Sequence, residues 1–380
     1  MISGLLRPSF GRIARLGLLA ISVFLAACAG PDRPKPAPLG ANVPLLGIKA
    51  AWTNSIGAVG FPLDVRLVGN QIFVASGNGT VASIDASTGA DAWRVSLNTP
   101  LSAGVGSDGQ ISAVVGKDNN LIVLDGPKVL WRQRLPAATL TAPFVAGGRV
   151  FTLSTDRTIS GFDAVNGRRL WQQQRSGDAL VLGQPGLLLA VGDTLVAGVA
   201  GKLLGLNPLN GVVKWETAVA NPRGTNEVER LVDVVSGYSR YGDQVCVRAF
   251  QYAVSCVDGV SGRGVWSKPA NGSTGLAGNF DVLVGTEADG KVVSWRRFDG
   301  ERLWTSERLR FRVLTAPLLL GRAIVLGDDS GILHFLSKDD GAPLNRVQLD
   351  SSGISATPVV AQQTLVVVTR NGTVHGFRAE

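Results

Sequence analysis

The sequence predicts an all-β chain folded as an eight-bladed β-propeller, and three observations carry that expectation. Trp52, Trp93, Trp131, Trp171, Trp215, Trp266 and Trp304 recur at intervals of 41, 38, 40, 44, 51 and 38 residues, and the next interval falls on Asn345. A period of about 42 residues holding several short strands suits a propeller blade better than a helical solenoid. Glycine is abundant, methionine is absent after Met1, and no long apolar run has the 3.6-residue period of a helix. Finally, "TLVVVTRNGTVHGFRAE" ends the chain as a hairpin with no tryptophan strand, while "IKAAWTNSI" near the start is a tryptophan strand with no hairpin before it. Pairing of these two pieces completes one blade and closes the ring, which leaves no terminal blade face to cap.

Taken from the N-terminus, residues 1–27 carry Arg7, Arg12 and Arg15, no acidic residue, and then "LGLLAISVFLAA", the pattern of a signal peptide that is removed. The apolar core is shorter than the roughly 20 residues of a spanning helix. Leu25-Ala26-Ala27-Cys28 resembles a bacterial lipobox, which implies that Cys28 becomes the N-terminus and carries a diacylglycerol and an acyl chain. Several acyl chains anchor stably where one is marginal. Lipoproteins retained in the inner membrane resemble one another in an Asp after the cysteine; Ala29 stands here, which implies an outer-membrane anchor facing the periplasm. Residues 28–47 are expected to be the lipidated cysteine and a semi-extended tether, with Pro31, Pro34, Pro36, Pro38 and Pro44. The propeller is expected over 48–380, the folded body beginning near Ile48.

Within each unit the residues around the tryptophan also repeat. Four residues before each tryptophan position stands Gly89, Gly167, Gly211, Gly262, Gly300 or Gly341, and four before that Asp85, Asp163, Asn207, Asp258, Arg296 or Ser337. Glycine supplies the positive φ of a tight turn, and Asp or Asn bonds the amides two residues on. Seven positions earlier a second punctuation recurs in all eight units, from Asn78-Gly79 to Asn371-Gly372, and marks a hairpin. At one fixed place per unit, the tryptophans are expected to pack between blades as architecture.

The formal charge is +8; removing the three leader arginines leaves +5 on 353 residues. With three tyrosines and dispersed basic residues the chain lacks the charged stripe and stacking aromatics of a nucleic-acid binder. The densest basic segment, "WRRFDGERLWTSERLRFR", reads as a solvated rim. Only His334 and His375 are present, without metal-ligand spacing, and there is no Gly-x-Ser-x-Gly elbow. No catalytic residue, metal or cofactor is expected.

The Asp-x-x-x-Gly-x-x-x-Trp unit resembles the repeat of pyrroloquinoline-quinone (PQQ) dehydrogenases, whose propellers are otherwise WD40-like in architecture. Those enzymes are longer and have an adjacent cysteine pair that is missing here, so a quinoprotein-like enzyme or other ligand-binding propeller is the alternative expectation. Lipobox, proline-rich tether and eight units, together with "TNEVERLVDV", "RFRVLTAPLLL", "VLGDDSGILHFLSKDDG" and "LDSSGISATPVV", resemble the BamB family, the lipoprotein propellers of the β-barrel assembly (BAM) machinery. The resemblance implies a non-enzymatic scaffold that binds the periplasmic POTRA domains of BamA and assists insertion of outer-membrane barrels. It leaves open direct contact with nascent outer-membrane proteins through a strand edge.

Matched residue by residue, the family's Leu-x-Leu-Arg stretch implies Leu180 and Leu182 as apolar contacts, with Gly183 in place of the arginine. Its acidic stretch implies Glu229, Arg230 and Asp233, with Val235 in place of the final aspartate. The longest interval, between Trp215 and Trp266, holds the insertion "ANPRGTNEVERLVDVVSGYSRYGDQ", and insertions in repeat folds often map to a binding face.

Cys246 and Cys256 flank one hairpin in a compartment where disulfides persist. A two-residue loop at Gln251-Tyr252 sets Cys246 against Val257. A three-residue loop with Tyr252 left-handed sets the cysteines opposite each other, at a span a disulfide bridges. The second register, with the disulfide formed, is the favoured expectation.

Overall fold

The second and third strands of each unit are sandwiched between neighbours on both faces, so they read as unbroken apolar runs rather than as alternating ones. In the first unit Gln71–Ala75 and Thr80–Asp85 are buried along nearly their whole length, while the outer strand Asp91–Ser96 alternates. With the inner strand Arg66–Val68 they make one four-stranded antiparallel sheet, the first blade. The computed structural model describes residues 34–176, 181–220, 231–354 and 356–380. Six further blades follow over 106–134, 144–174, 187–218, 239–269, 276–306 and 318–348. The eighth joins the inner strand Val359–Ala361, then Thr364–Val368 and Thr373–Ala379, to the outer strand Ile48–Ser55. That pairing, Ile48 opposite Ala379 through Ser55 opposite Thr373, closes the ring as the two chain ends suggested. No described residue is helical.

The aspartate-glycine punctuation forms the turn between third and fourth strands. Asp85 Oδ1 accepts from the amides of Ser87 and Thr88, and Gly89, at φ +74°, donates to the Asp85 carbonyl. Asp163 and Asp258 repeat the arrangement. A second device has no counterpart among the sequence signals. In every blade the third and fourth strands slip by one residue just before the tryptophan position, at Ala92, Leu130, Leu170, Lys214, Val265, Leu303, Leu344 and Ala51. Such a bulge re-aims the next side chain. Here it turns the indole onto the following blade.

There Trp52, Trp131, Trp171, Trp266 and Trp304 donate from Nε1 to the carbonyls of Ala86, Ala164, Pro208, Arg297 and Lys338, at 2.8–3.0 Å. The ring lies on the turn glycine of that blade, so closely that a Cβ on Gly167 would fall 2.6 Å from Trp131. The tryptophans are thus inter-blade architecture, as their spacing suggested.

One expectation needs correction. The folded body was expected to begin near Ile48, after a semi-extended tether, but from Ala37 onward the chain lies along the outer edge of blade seven. Ala37 N donates to Arg310 O at 2.9 Å and Leu45 N to Leu344 O at 2.7 Å. Asn345, which occupies the missing tryptophan's place, donates from Nδ2 to Leu46 O at 2.7 Å and accepts from Asn42 at 3.1 Å. Arg346 donates to the carbonyls of Leu39 and Gly40.

Candidate partner-binding face

The loops between blades and the hairpin turns between second and third strands share one face of the ring, here the loop face. Leu182 lies on the loop entering blade four and Asp233 on the loop entering blade five, 51 residues apart, and the structure brings them together. The Asp233 carboxylate accepts from Ala200 N at 3.0 Å through Oδ1 and from Leu182 N at 3.3 Å through Oδ2. Its own carbonyl accepts from Phe250 N at 2.9 Å. One half-buried residue therefore ties both loops together, its side chain reaching the hairpin turn of blade four and its backbone carbonyl that of blade five.

The local sequence explains the fit. Ala200 and Gly201 take φ of 50° and 73°, the two-residue turn that right-handed strand twist favours, and this presents the Ala200 amide to the carboxylate. Val234 lies against Gly198, where any Cβ would come within 2.7 Å of it. Ser236 N donates to Pro185 O at 2.9 Å, a second clasp between the same two loops. Beneath them Leu182, Asp233, Leu153 and Gln184 line a cavity of about 60 Å³.

Of the residues the family pattern pointed to, Leu182 and Asp233 converge; Cys28, Leu180, Glu229 and Arg230 lie outside the described residues. Gly183 is exposed, so its position faces solvent although no charge stands there. Val235 is only 2% exposed, which gives a physical reason for the apolar residue in the aspartate's place. Sequence reasoning assigned Asp233 to a partner and missed its use inside the chain, because the amides it accepts from are distant in sequence.

Cys246 and Cys256 sit directly opposite in the hairpin of blade five and are joined by a disulfide, with Cα atoms 4.0 Å apart. The three-residue loop register is the one adopted. The left-handed residue is Gln251, φ 48°, and not Tyr252 as that register was expected to need.

The inner strands enclose an axial channel. Its two cavities, about 590 and 510 Å³, share Asp64, Ser236, Ala316 and Thr357, which mark its waist. Burial there pushes the Asp64 carboxyl up to about 6, against a hydrogen bond from Ser236 that favours the ionised form. No group of three or more His, Cys, Asp or Glu among the described residues is arranged to hold a metal. His334 is buried with Nε2 3.0 Å from Asp328 Oδ2, and Arg312 approaches the same oxygen at 2.9 Å. Asp328 also accepts from the amides of Ser330 and Ile332. This buried cluster braces the hairpin turn of blade seven.

A closed ring of eight four-stranded blades, with two loops clasped on one face, defines an eight-bladed β-propeller. The family model described as "Outer membrane protein assembly factor BamB" matches residues 77–306. The chain is 38% identical to the outer membrane protein assembly factor BamB of Burkholderia pseudomallei, over 94% of this chain and 96% of that one. It is 36% identical to the BamB of Bordetella pertussis, over 97% of each. The crystal structure of BamB from Moraxella catarrhalis superposes with a TM-score of 0.79 at 22% identity, covering 87% of this chain and 99% of that one. The chain belongs to the BamB family.

Proposed function

We propose that the chain is a non-enzymatic lipoprotein of the outer-membrane β-barrel assembly complex, held to the outer membrane through Cys28 and binding the periplasmic POTRA domains of BamA with its loop face. Membership of a family named for outer-membrane protein assembly supports the process. The observation that carries the site is the clasp itself: Asp233 and the backbone of Leu182 hold two loops of consecutive blades as one surface. An apolar residue, Leu182, beside one carboxylate fits a partner with an aliphatic surface and a basic residue, and the family pattern adds Leu180 to it. A few such anchors commonly dominate an interface.

The test is a titration of the mature protein with the BamA periplasmic domains. Leu180→Ala with Leu182→Ala is expected to weaken binding at least tenfold with unchanged thermal unfolding. Asp233→Asn, which keeps one acceptor oxygen, separates the partner's charge contact from the loop clasp: a tenfold loss with intact loops assigns the carboxylate to the partner. Undiminished binding by the leucine pair variant would move the site elsewhere. Cys28→Ala is expected to abolish both fatty-acid incorporation and flotation with outer membranes.

A further inference from the structure

The face opposite the loops, formed by the turns between first and second and between third and fourth strands, carries a feature that the proposed partner site does not use. Around the channel's opening on this side stand Arg66, from the inner strand of blade one, and Arg240, from that of blade five. In a ring of eight these blades face each other across the axis. Each guanidinium is fixed by backbone carbonyls: Arg66 Nε donates to Ser107 O, and Arg240 donates from Nε to Gly242 O and from Nη1 to Ala190 O, all at 2.8 Å. Neither pairs with a carboxylate among the described residues, so each keeps N–H groups for an acceptor in the opening. Tyr238 lines the same opening; desolvation holds its phenol pKa above the ordinary value, while the Arg66 and Arg240 guanidiniums act to lower it.

Beside this polar centre the rim of blades five and six exposes three aromatic rings, with Asp281 and Asp299 next to two of them in the chain. Tyr241 and Phe280 lie with ring centroids 6.2 Å apart and are 58% and 67% exposed. Phe298 is 83% exposed on a turn tied to that of Phe280 by the hydrogen bond from Arg297 N to Asp281 O, 2.9 Å. Exposed aromatics gathered beside a basic cavity mark an interaction surface more often than scattered ones do.

The geometry points to a second docking surface on this turn face, taking an extended polypeptide segment with an acidic side chain flanked by apolar ones. The two carboxylate-free guanidiniums face each other across the axis, and the three exposed rings lie on the rim of blades five and six. A segment crossing from blade six toward blade one lays its apolar side chains on Tyr241, Phe280 and Phe298, and its carboxylate between Arg66, Arg240 and the Tyr238 hydroxyl. Arginine and phenol donors match a carboxylate in charge and hydrogen-bond direction, and alternate side chains of an extended chain point the same way.

The experiment uses the mature protein in detergent and a fluorescein-labelled nonapeptide of alternating Phe and Ser with one central Glu, compared with the same peptide carrying Gln. Fluorescence polarisation at low salt is expected to show the Glu peptide binding at least tenfold tighter, the difference narrowing as salt screens the charge. Arg66→Gln with Arg240→Gln is expected to abolish that preference, and Phe280→Ser with Phe298→Ser to weaken both peptides alike. Equal affinity of Glu and Gln peptides for the unaltered protein would overturn the proposal without reliance on any variant. So would retention of the preference by the arginine pair variant. Binding of BamA domains stays unchanged in these variants if the two faces are separate.

Discussion

At the residue scale, the turn glycines answer two demands, a left-handed backbone and the absence of a Cβ beneath an indole, and two substitutions separate them. Gly126 has φ +55° and open space where a methyl would stand, with nothing within 4 Å, whereas Gly167 has φ +73° and would set its methyl 2.6 Å from Trp131. Gly126→Ala is expected to cost about 1 kcal/mol for the backbone alone. Gly167→Ala adds overpacking of about 2 kcal/mol to that, so denaturant midpoints should fall in the order wild type, Gly126→Ala, Gly167→Ala. Equal costs would mean that the indole shifts freely, against the bond from Trp131 Nε1 to Ala164 O. The Cys246–Cys256 bridge closes a short loop, sequence separation 10, and its reduction should lower stability by about 3 kcal/mol. An unchanged count of free thiols after reduction would refute the bond.

At the element scale, the strap over residues 37–47 takes the role that tryptophan plays elsewhere. Without a ring at 345, blade seven has nothing to lay on the next blade's turn. Blade eight, whose third and fourth strands come from opposite chain ends, has no such turn to receive one. Asn345 instead holds Leu46 and Asn42, so Asn345→Ala should release the strap. At about 1 kcal/mol per lost hydrogen bond, hydrogen exchange at the Leu45 amide, bonded to Leu344 O, should accelerate roughly tenfold while blade three amides stay protected. Unchanged exchange would show that Arg346 alone suffices. The same elements mark how far the sequence was legible. Strands, hairpins and the Asp-Gly turns were readable because their signals are local. The bulge before each tryptophan was not, since a one-residue slip leaves no residue type behind it. The strap was missed because prolines argue against regular structure and not against docking, and its partners lie roughly 300 residues away. Distance in sequence also hid the clasp by Asp233, a residue that family likeness singled out for a partner contact and not for this use.

At the scale of the whole molecule, ring closure makes every blade a neighbour of two others and leaves one axial channel whose waist none of the blades forms alone. Asp64, from the connection between blade eight and blade one, meets Ser236 of the loop entering blade five there, so the waist joins opposite sides of the ring. Its carboxyl is raised from 3.8 to about 6, burial being the larger cause. The folded protein therefore binds more protons than the unfolded chain between those values, and stability falls as pH rises from about 4 through 6. Asp64→Asn removes the charge and keeps an acceptor for the Ser236 hydroxyl. It should stabilise the propeller at pH 7.5 by on the order of 2 kcal/mol, since each tenfold change in proton affinity on folding is worth about 1.4 kcal/mol, and by almost nothing at pH 3.5. Denaturant titrations of both proteins across that range test the coupling. A constant gap between them would place the effect of Asp64 in packing, and a gap that widens toward low pH would mean that the ionised form is the one the waist holds.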